Sequence, residues 1–246
     1  MKITFAGVLA DAWALLRRDA GLLLRVVPPF LFLPAYALTL FVPPMPMPEQ
    51  AIADAQTRAE TWTNAVSVWV QGYGLGFFLA YALAYYGLAV IMMLYVDPTR
   101  PAVGTAMKRA LVLYPRFFLA MMLVSIPAGL GMWVLVIPGL YVLGRTMLTA
   151  PVLVAEQPIG AWQAIRRSLS LTRGQGLSLM GLAAFGYLVG LLAGQPFLLA
   201  DTALREGGGG NPIAVALVDA AAAAVAMATQ LGLALIAICA YRRLAR

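Results

Sequence analysis

Trp62–Val96 reads WTNAVSVWVQGYGLGFFLAYALAYYGLAVIMMLYV, and Asp97-Pro98-Thr99-Arg100-Pro101 follows at once. Those thirty-five residues include no Lys, Arg, Asp or Glu. A helix needs only about 20 apolar residues to cross the hydrocarbon of a bilayer. The run therefore predicts a membrane-crossing helix that tilts or projects beyond the lipid. The Asp-Pro-Thr-Arg-Pro segment combines two helix-stopping prolines with a charge pair and closes it.

Outward from this run, apolar stretches and basic clusters alternate. Fourteen of the seventeen Lys and Arg residues fall in four short stretches. These hold Lys2, Arg17, Arg18 and Arg25; Arg100, Lys108, Arg109 and Arg116; Arg166, Arg167 and Arg173; and Arg242, Arg243 and Arg246. Only Arg58 and Arg205 occupy the other connections, and Arg145 lies inside an apolar run. Short loops rich in Lys and Arg stay in the cytoplasm. The pattern predicts an all-α, polytopic protein of a bacterial inner membrane with both termini cytoplasmic.

Composition agrees. The chain is 62% hydrophobic and 11% charged, against about 25% charged for a soluble domain. A net charge of +7 often suggests nucleic acid, but here the cations border predicted spans, so no nucleic-acid partner is expected. Cys239 is the single cysteine and there is no histidine. An intrachain disulfide, His-based metal sites and Ser-His-Asp chemistry are thereby excluded. No cofactor is expected. Residues Ile3–Leu16 are interrupted by Asp11 and followed, not preceded, by Arg17-Arg18, so no cleavable signal peptide is expected.

Six spans are predicted, at about 21–42, 62–96, 117–136, 140–154, 177–200 and 213–241. Pro28, Pro29 and Pro34 predict a kink in the first. Ile137-Pro138-Gly139 predicts a tight turn between the third and fourth, whose second arm is short enough that a re-entrant hairpin is the alternative to a full crossing. Gly207–Gly210 with Asn211-Pro212 predicts a flexible loop before the last span.

Three basic amphipathic helices are predicted on the cytoplasmic surface, at 3–18, 102–115 and 159–172. In the first, Phe5, Val8, Leu9, Ala12 and Leu16 recur at helical spacing. In the third, Ile159, Trp162, Ile165 and Leu169 form an apolar stripe opposite Gln163, Arg166, Arg167 and Ser170. Ala12-Trp13-Ala14-Leu15-Leu16-Arg17-Arg18 matches Ala161-Trp162-Gln163-Ala164-Ile165-Arg166-Arg167, and Ala106-Met107-Lys108-Arg109-Ala110-Leu111 is a poorer third copy. This suggests three repeats, each a basic helix followed by a membrane hairpin. Trp prefers the interfacial zone and Arg meets lipid phosphates there. Arg17, Arg18, Lys108, Arg109, Trp162, Arg166 and Arg167 are accordingly candidate contacts for anionic lipid headgroups.

Two ionisable residues lie deep in apolar runs. Arg145 is six residues past Gly139 and Asp219 seven past Pro212, depths of about 9 and 10 Å at 1.5 Å per residue. Charges at such depth normally pair or line a cavity. An Arg145–Asp219 ion pair is predicted, with separate snorkelling of each as the alternative. Glu156, at the end of the fourth span, is expected to pair with Arg166 or Arg167. Gly186, Gly190 and Gly194 recur every four residues, as do Gly72 and Gly76, a spacing that lets helices approach closely in lipid. The contact could lie within one chain, in a homo-oligomer or against another membrane protein.

Val136–Gly174 carries a longer pattern: Ile137-Pro138-Gly139-Leu140-Tyr141, then Arg145, Ala150-Pro151-Val152, Glu156, Ala164-Ile165-Arg166-Arg167-Ser168-Leu169 and Leu171-Thr172-Arg173-Gly174. This resembles the membrane domain of bacterial glycerophosphoryl diester phosphodiesterases and its stand-alone inner-membrane relatives. The resemblance marks Pro138-Gly139, Arg145, Glu156, Ser168 and Gly174 as signature positions without assigning them roles. In the fused relatives hydrolysis belongs to a separate soluble barrel with acidic and histidine residues, which this chain has no room for. The expectation is therefore a non-enzymatic, lipid-associated scaffold or accessory subunit, with a small-solute or amphiphile transporter as the alternative.

Overall fold

A computed structural model describes residues 3–206 and 211–245. Lys2, Arg246 and Gly207–Gly210, where the sequence predicts a loop, lie outside the described residues. The described residues form helices and no strand. In order these are α1 (Phe5–Arg18), α2 (Ala20–Val26), a π-helical turn (Pro28–Phe32), α3 (Leu33–Phe41), α4 (Ala55–Val96), α5 (Val103–Val134), α6 (Val136–Thr146), α7 (Thr149–Ala155), α8 (Ala161–Leu171), α9 (Gly176–Glu206) and α10 (Pro212–Leu244). Five segments are long and apolar enough to cross a membrane, with α6 and α7 counted as one. The α2–α3 pair makes a sixth if its 43° bend lies within one span. The chain is a multi-pass membrane protein. Leu75, Leu79, Leu192 and Leu199 stand more than half exposed on the outer surface, which only hydrocarbon makes inexpensive.

Local chemistry accounts for most boundaries. The Pro28-Pro29 pair withdraws two backbone donors and coincides with the π turn and the bend between α2 and α3. Asp54 caps α4, its Oδ2 accepting from the Thr57 amide at 2.7 Å and hydroxyl at 2.6 Å. With this cap α4 begins at Ala55, seven residues before the predicted span, and its 42 residues extend about 63 Å. The proline-rich segment before it folds back along the helix, where the Pro43 and Pro46 carbonyls accept from the Trp69 and Trp62 indoles. Asn211 caps α10 and Pro212 opens it.

The predicted helix 102–115 does not stand apart. It runs without a break into the following span as α5, because Pro115 removes one backbone donor without ending the helix. The turn predicted at Ile137-Pro138-Gly139 falls instead on Leu135, the single residue between α5 and α6. Pro138 sits in the first turn of α6, where the missing amide is tolerated. Gly139 and Gly131 let the two helices touch backbone to backbone, with a methyl on Gly131 only 2.9 Å from the Gly139 Cα.

The α5–α6 turn stops well short of one end of the bundle. Gly144 of α6 packs on the backbone of Leu179 and Met180, near the start of α9. Val136 is eight residues away, so the turn reaches at most about 12 Å past that contact, whereas α9 continues for a further 26 residues, about 39 Å.

The predicted glycine stripe on α9 is used within the chain. Gly186 faces Leu233, Gly190 faces Thr229 and Gly194 faces Val225, all on α10. At Gly72 and Gly76 a methyl group would find nothing within 4 Å, so neither takes part in packing inside this chain. An aromatic seam joins α4 to α5 through Phe78–Phe118 and Tyr86–Tyr114 ring contacts.

Candidate functional site: a basic end and the Arg145 groove

The two ends of the bundle differ in charge. At one end α1, the C-terminus of α4, α7 and the last turn of α10 meet. Arg243 bonds Asp11 at 2.7 Å and the Gly7 carbonyl, Arg242 bonds the Tyr95 carbonyl, and the Tyr241 hydroxyl lies 3.4 Å from Glu156. Four acids belong to this end and each holds one arginine: Asp11 with Arg243, Asp19 with Arg18, Asp97 with Arg109, and Glu156 with Arg167. The Arg18 guanidinium holds Asp19 below the usual carboxylate range. Burial pushes Asp97 up, but the amide and hydroxyl of Thr99 and the Arg109 guanidinium outweigh it and leave it low.

Among the described residues, Arg17, Arg25, Arg100, Lys108, Arg116, Arg145, Arg166 and Arg173 have no carboxylate within 4.0 Å. The headgroup candidates therefore divide. Arg18, Arg109 and Arg167 are held by acids, while Arg17, Lys108 and Arg166 are not. Lys108, Arg109 and Arg116 share an open groove of about 690 Å³ with Met93, Asp97 and Gln157.

The matched heptads behave alike in space. Ala12 and Leu15 are buried on α1, and their counterparts Ala161 and Ala164 are buried on α8. Trp13 and Trp162 both point outward, 60% and 62% exposed. The face of α8 differs from the predicted stripe. Its buried side is Ala161, Ala164, Ile165 and Ser168, whereas Trp162 and Leu169 lie on the exposed side. Small residues let α8 pack closely on α5, α6 and α7, and the two bulky apolar side chains are left to face outward.

The predicted Arg145–Asp219 pair does not form. Asp219, 1% exposed, accepts from Arg205 at 2.8 Å, and Arg205 also binds Asp201 at 2.6 Å and the Thr39 carbonyl at 3.2 Å. Arg145 lies near the other end of α9, its Cδ 3.2 Å from a methyl position on Gly176. Residues 176 and 205 are about 44 Å apart along α9. Counting depth along the chain fails here because it starts both helices from one plane, and the α5–α6 turn does not reach the plane where α10 begins. The sequence signal for the pairing that does form is the i, i+4 spacing of Asp201 and Arg205 at the end of a helix.

Arg145 is instead built into α8. One Nη donates to the Leu169 carbonyl at 2.7 Å and the other to the Tyr141 hydroxyl at 3.4 Å. The Arg145 carbonyl accepts from the Ser168 hydroxyl at 2.9 Å and the Thr172 hydroxyl at 3.3 Å. Its Nε is buried without an acceptor. The guanidinium lines a groove of about 390 Å³ whose other walls include Leu123, Val124 and Pro127 of α5 and Trp162 and Leu169 of α8.

Glu156 meets Arg167, its carboxylate 3.0 and 3.2 Å from Nε, and Arg166 turns outward. A second cavity of about 320 Å³ lies between α4, α5, α6, α9 and α10, mostly apolar but with Tyr81, Tyr85, Ser125, Tyr187 and Gln230 in its walls. It shares Val124 and Thr146 with the Arg145 groove. Asp219 lines a different groove with Trp69 and Arg205. Among the described residues no cluster of His, Cys, Asp and Glu could hold a metal ion. No protein-family model, curated protein or solved structure matches the chain.

Proposed function

We propose that this is a non-enzymatic protein of a bacterial inner membrane that gathers anionic lipid around its basic end, acting as a lipid-associated scaffold or accessory subunit. In this reading α1 and α8 lie along the cytoplasmic surface, the first turns of α5 project past it, both termini are cytoplasmic, and the first span is the bent α2–α3 pair. The observation that carries it is the set of cations left without carboxylate partners at one end, flanked by the outward Trp13 and Trp162. Unpaired Arg and Lys beside indoles are what a leaflet of anionic headgroups attracts. The resemblance of Val136–Gly174 to the membrane domain of glycerophosphoryl diester phosphodiesterases fits this role and asks for no hydrolysis. Transport is the weaker reading, since Arg145 and Asp219 open to separate grooves.

The test is native mass spectrometry of the protein extracted with its surrounding bilayer. The wild type is expected to carry anionic over zwitterionic lipid. Arg17→Gln combined with Lys108→Gln removes two unpaired cations and is expected to lower that enrichment up to about 30-fold, at about 1 kcal/mol per charge near the surface. Equal enrichment in both proteins would overturn the proposal.

A further inference from the structure

The Arg145 groove carries more than general attraction to a leaflet. A guanidinium has five N–H donors. Here two are spent on Leu169 and Tyr141, the Nε–H is buried and unanswered, and no carboxylate lies within reach. A half-buried cation in apolar surroundings without a counter-ion is under-compensated. Its groove is apolar apart from that charge and Tyr141, Thr146 and the Trp162 indole.

The outward face of α8 adds to this. Trp162, Arg166 and Leu169 fall at i, i+4 and i+7 and so share one stripe. Trp162 and Leu169 of that stripe line the groove. Arg166 is exposed and without a carboxylate partner among the described residues. One half-buried and one exposed cation beside an apolar trough complement an anion that carries a hydrocarbon chain. Arginine favours phosphate through its planar, multi-donor edge.

We propose that the groove between α5, α6 and α8 is a specific site for one phosphate-bearing amphiphile, with the phosphate on Arg145 and the chain against Leu123, Val124 and Pro127. The shared walls at Val124 and Thr146 lead the chain toward the central cavity. This rests on the lipid-contact reading above and narrows it from an annulus to a single bound molecule.

The experiment titrates the full chain in neutral detergent with a 16-carbon lysophosphatidic acid, counting bound copies by native mass spectrometry. Palmitate and inorganic phosphate serve as separate probes of the chain and the anion. The expected result is one saturable copy, with palmitate and phosphate each at least tenfold weaker. Arg145→Gln is expected to weaken it at least tenfold, and Arg58→Gln, the same loss of charge near the start of α4, to leave it unchanged. Because Arg145 also holds the Leu169 carbonyl, Leu123→Trp supplies a second variant. It fills the groove from a partly exposed position, leaves that contact intact and is expected to block binding.

Unsaturable binding, equal binding of palmitate, or wild-type affinity in both Arg145→Gln and Leu123→Trp would overturn the site. Persistence of anionic-lipid enrichment alongside such a failure would sink this site alone. Loss of that enrichment with the saturable copy retained would sink only the broader reading.

Discussion

Asp219 is the most constrained ionisable residue of the chain. It is 1% exposed and its hydrogen-bond partner is Arg205, which is itself 44% exposed and shared with Asp201. The two halves of this contact are not equivalent. Arg205→Ala strands a buried carboxylate and is expected to cost on the order of 2 kcal/mol. Asp219→Ala leaves Arg205 exposed and still bound to Asp201, and is expected to cost clearly less. Thermal unfolding of both variants in one detergent measures the difference, and equal losses would mean that the pair is not what holds this end. Glu156–Arg167 is legible from sequence because both residues flank one short connection, so only one loop has to be imagined. The Arg145 contact is not, because its partner is a backbone carbonyl of α8, and any residue type there would present the same carbonyl.

At the scale of helices, glycine spacing has two meanings that sequence does not separate. A methyl on Gly144 would lie 2.5 Å from the Met180 amide nitrogen and 2.7 Å from its Cα. Backbone cannot rotate away as a side chain does, so Gly144→Ala is expected to cost about 1–3 kcal/mol. Gly72→Ala and Gly76→Ala meet nothing within 4 Å and replace the residue that weakens a helix, so they are expected to be neutral or to stabilise by up to about 1 kcal/mol. The same unfolding assay reports both, and a destabilised Gly76→Ala would place that stripe in a contact with a second chain. Amphipathic periodicity has a similar limit on α8. The period locates the helix, but its buried face is set by what can approach α5 and α6, and Ala161, Ala164 and Ser168 approach more closely than Trp162 can. On α5 a basic stretch gives way to an apolar one after Arg116 while the helix continues past Pro115, so the pattern suggests two helices where there is one.

Across the whole molecule the decisive question is where each turn lies in the bilayer. The α5–α6 turn at Leu135 sits no more than about 12 Å past the Leu179–Met180 level, and Leu135 is 63% exposed. In a Cys239→Ser background, single cysteines at Thr99, Leu135 and Asn211 can be labelled with a membrane-impermeant maleimide from either side. Positions 99 and 211 are expected to react from opposite sides, and position 135 from neither, because it faces hydrocarbon. Labelling of position 135 from the same side as position 211 would make the hairpin a full crossing. With α2–α3 as one span, the number of crossings is even in either case, which keeps the two termini on a shared side. The sequence alone is enough to make the chain helical and membrane-embedded, because uninterrupted apolar runs of this length cross lipid as helices, and those runs and their basic borders are local properties. The kink at Pro28-Pro29 and the twin Trp-bearing helices were local in the same sense. That Asp219 meets Arg205, that Arg145 holds α8 beside an apolar groove, and that the Leu135 turn stops short of the far end of α9 emerge only from the packed helices. Those outcomes depend on crossing angles and on the depth of each turn, which arise from packing between helices far apart in the chain.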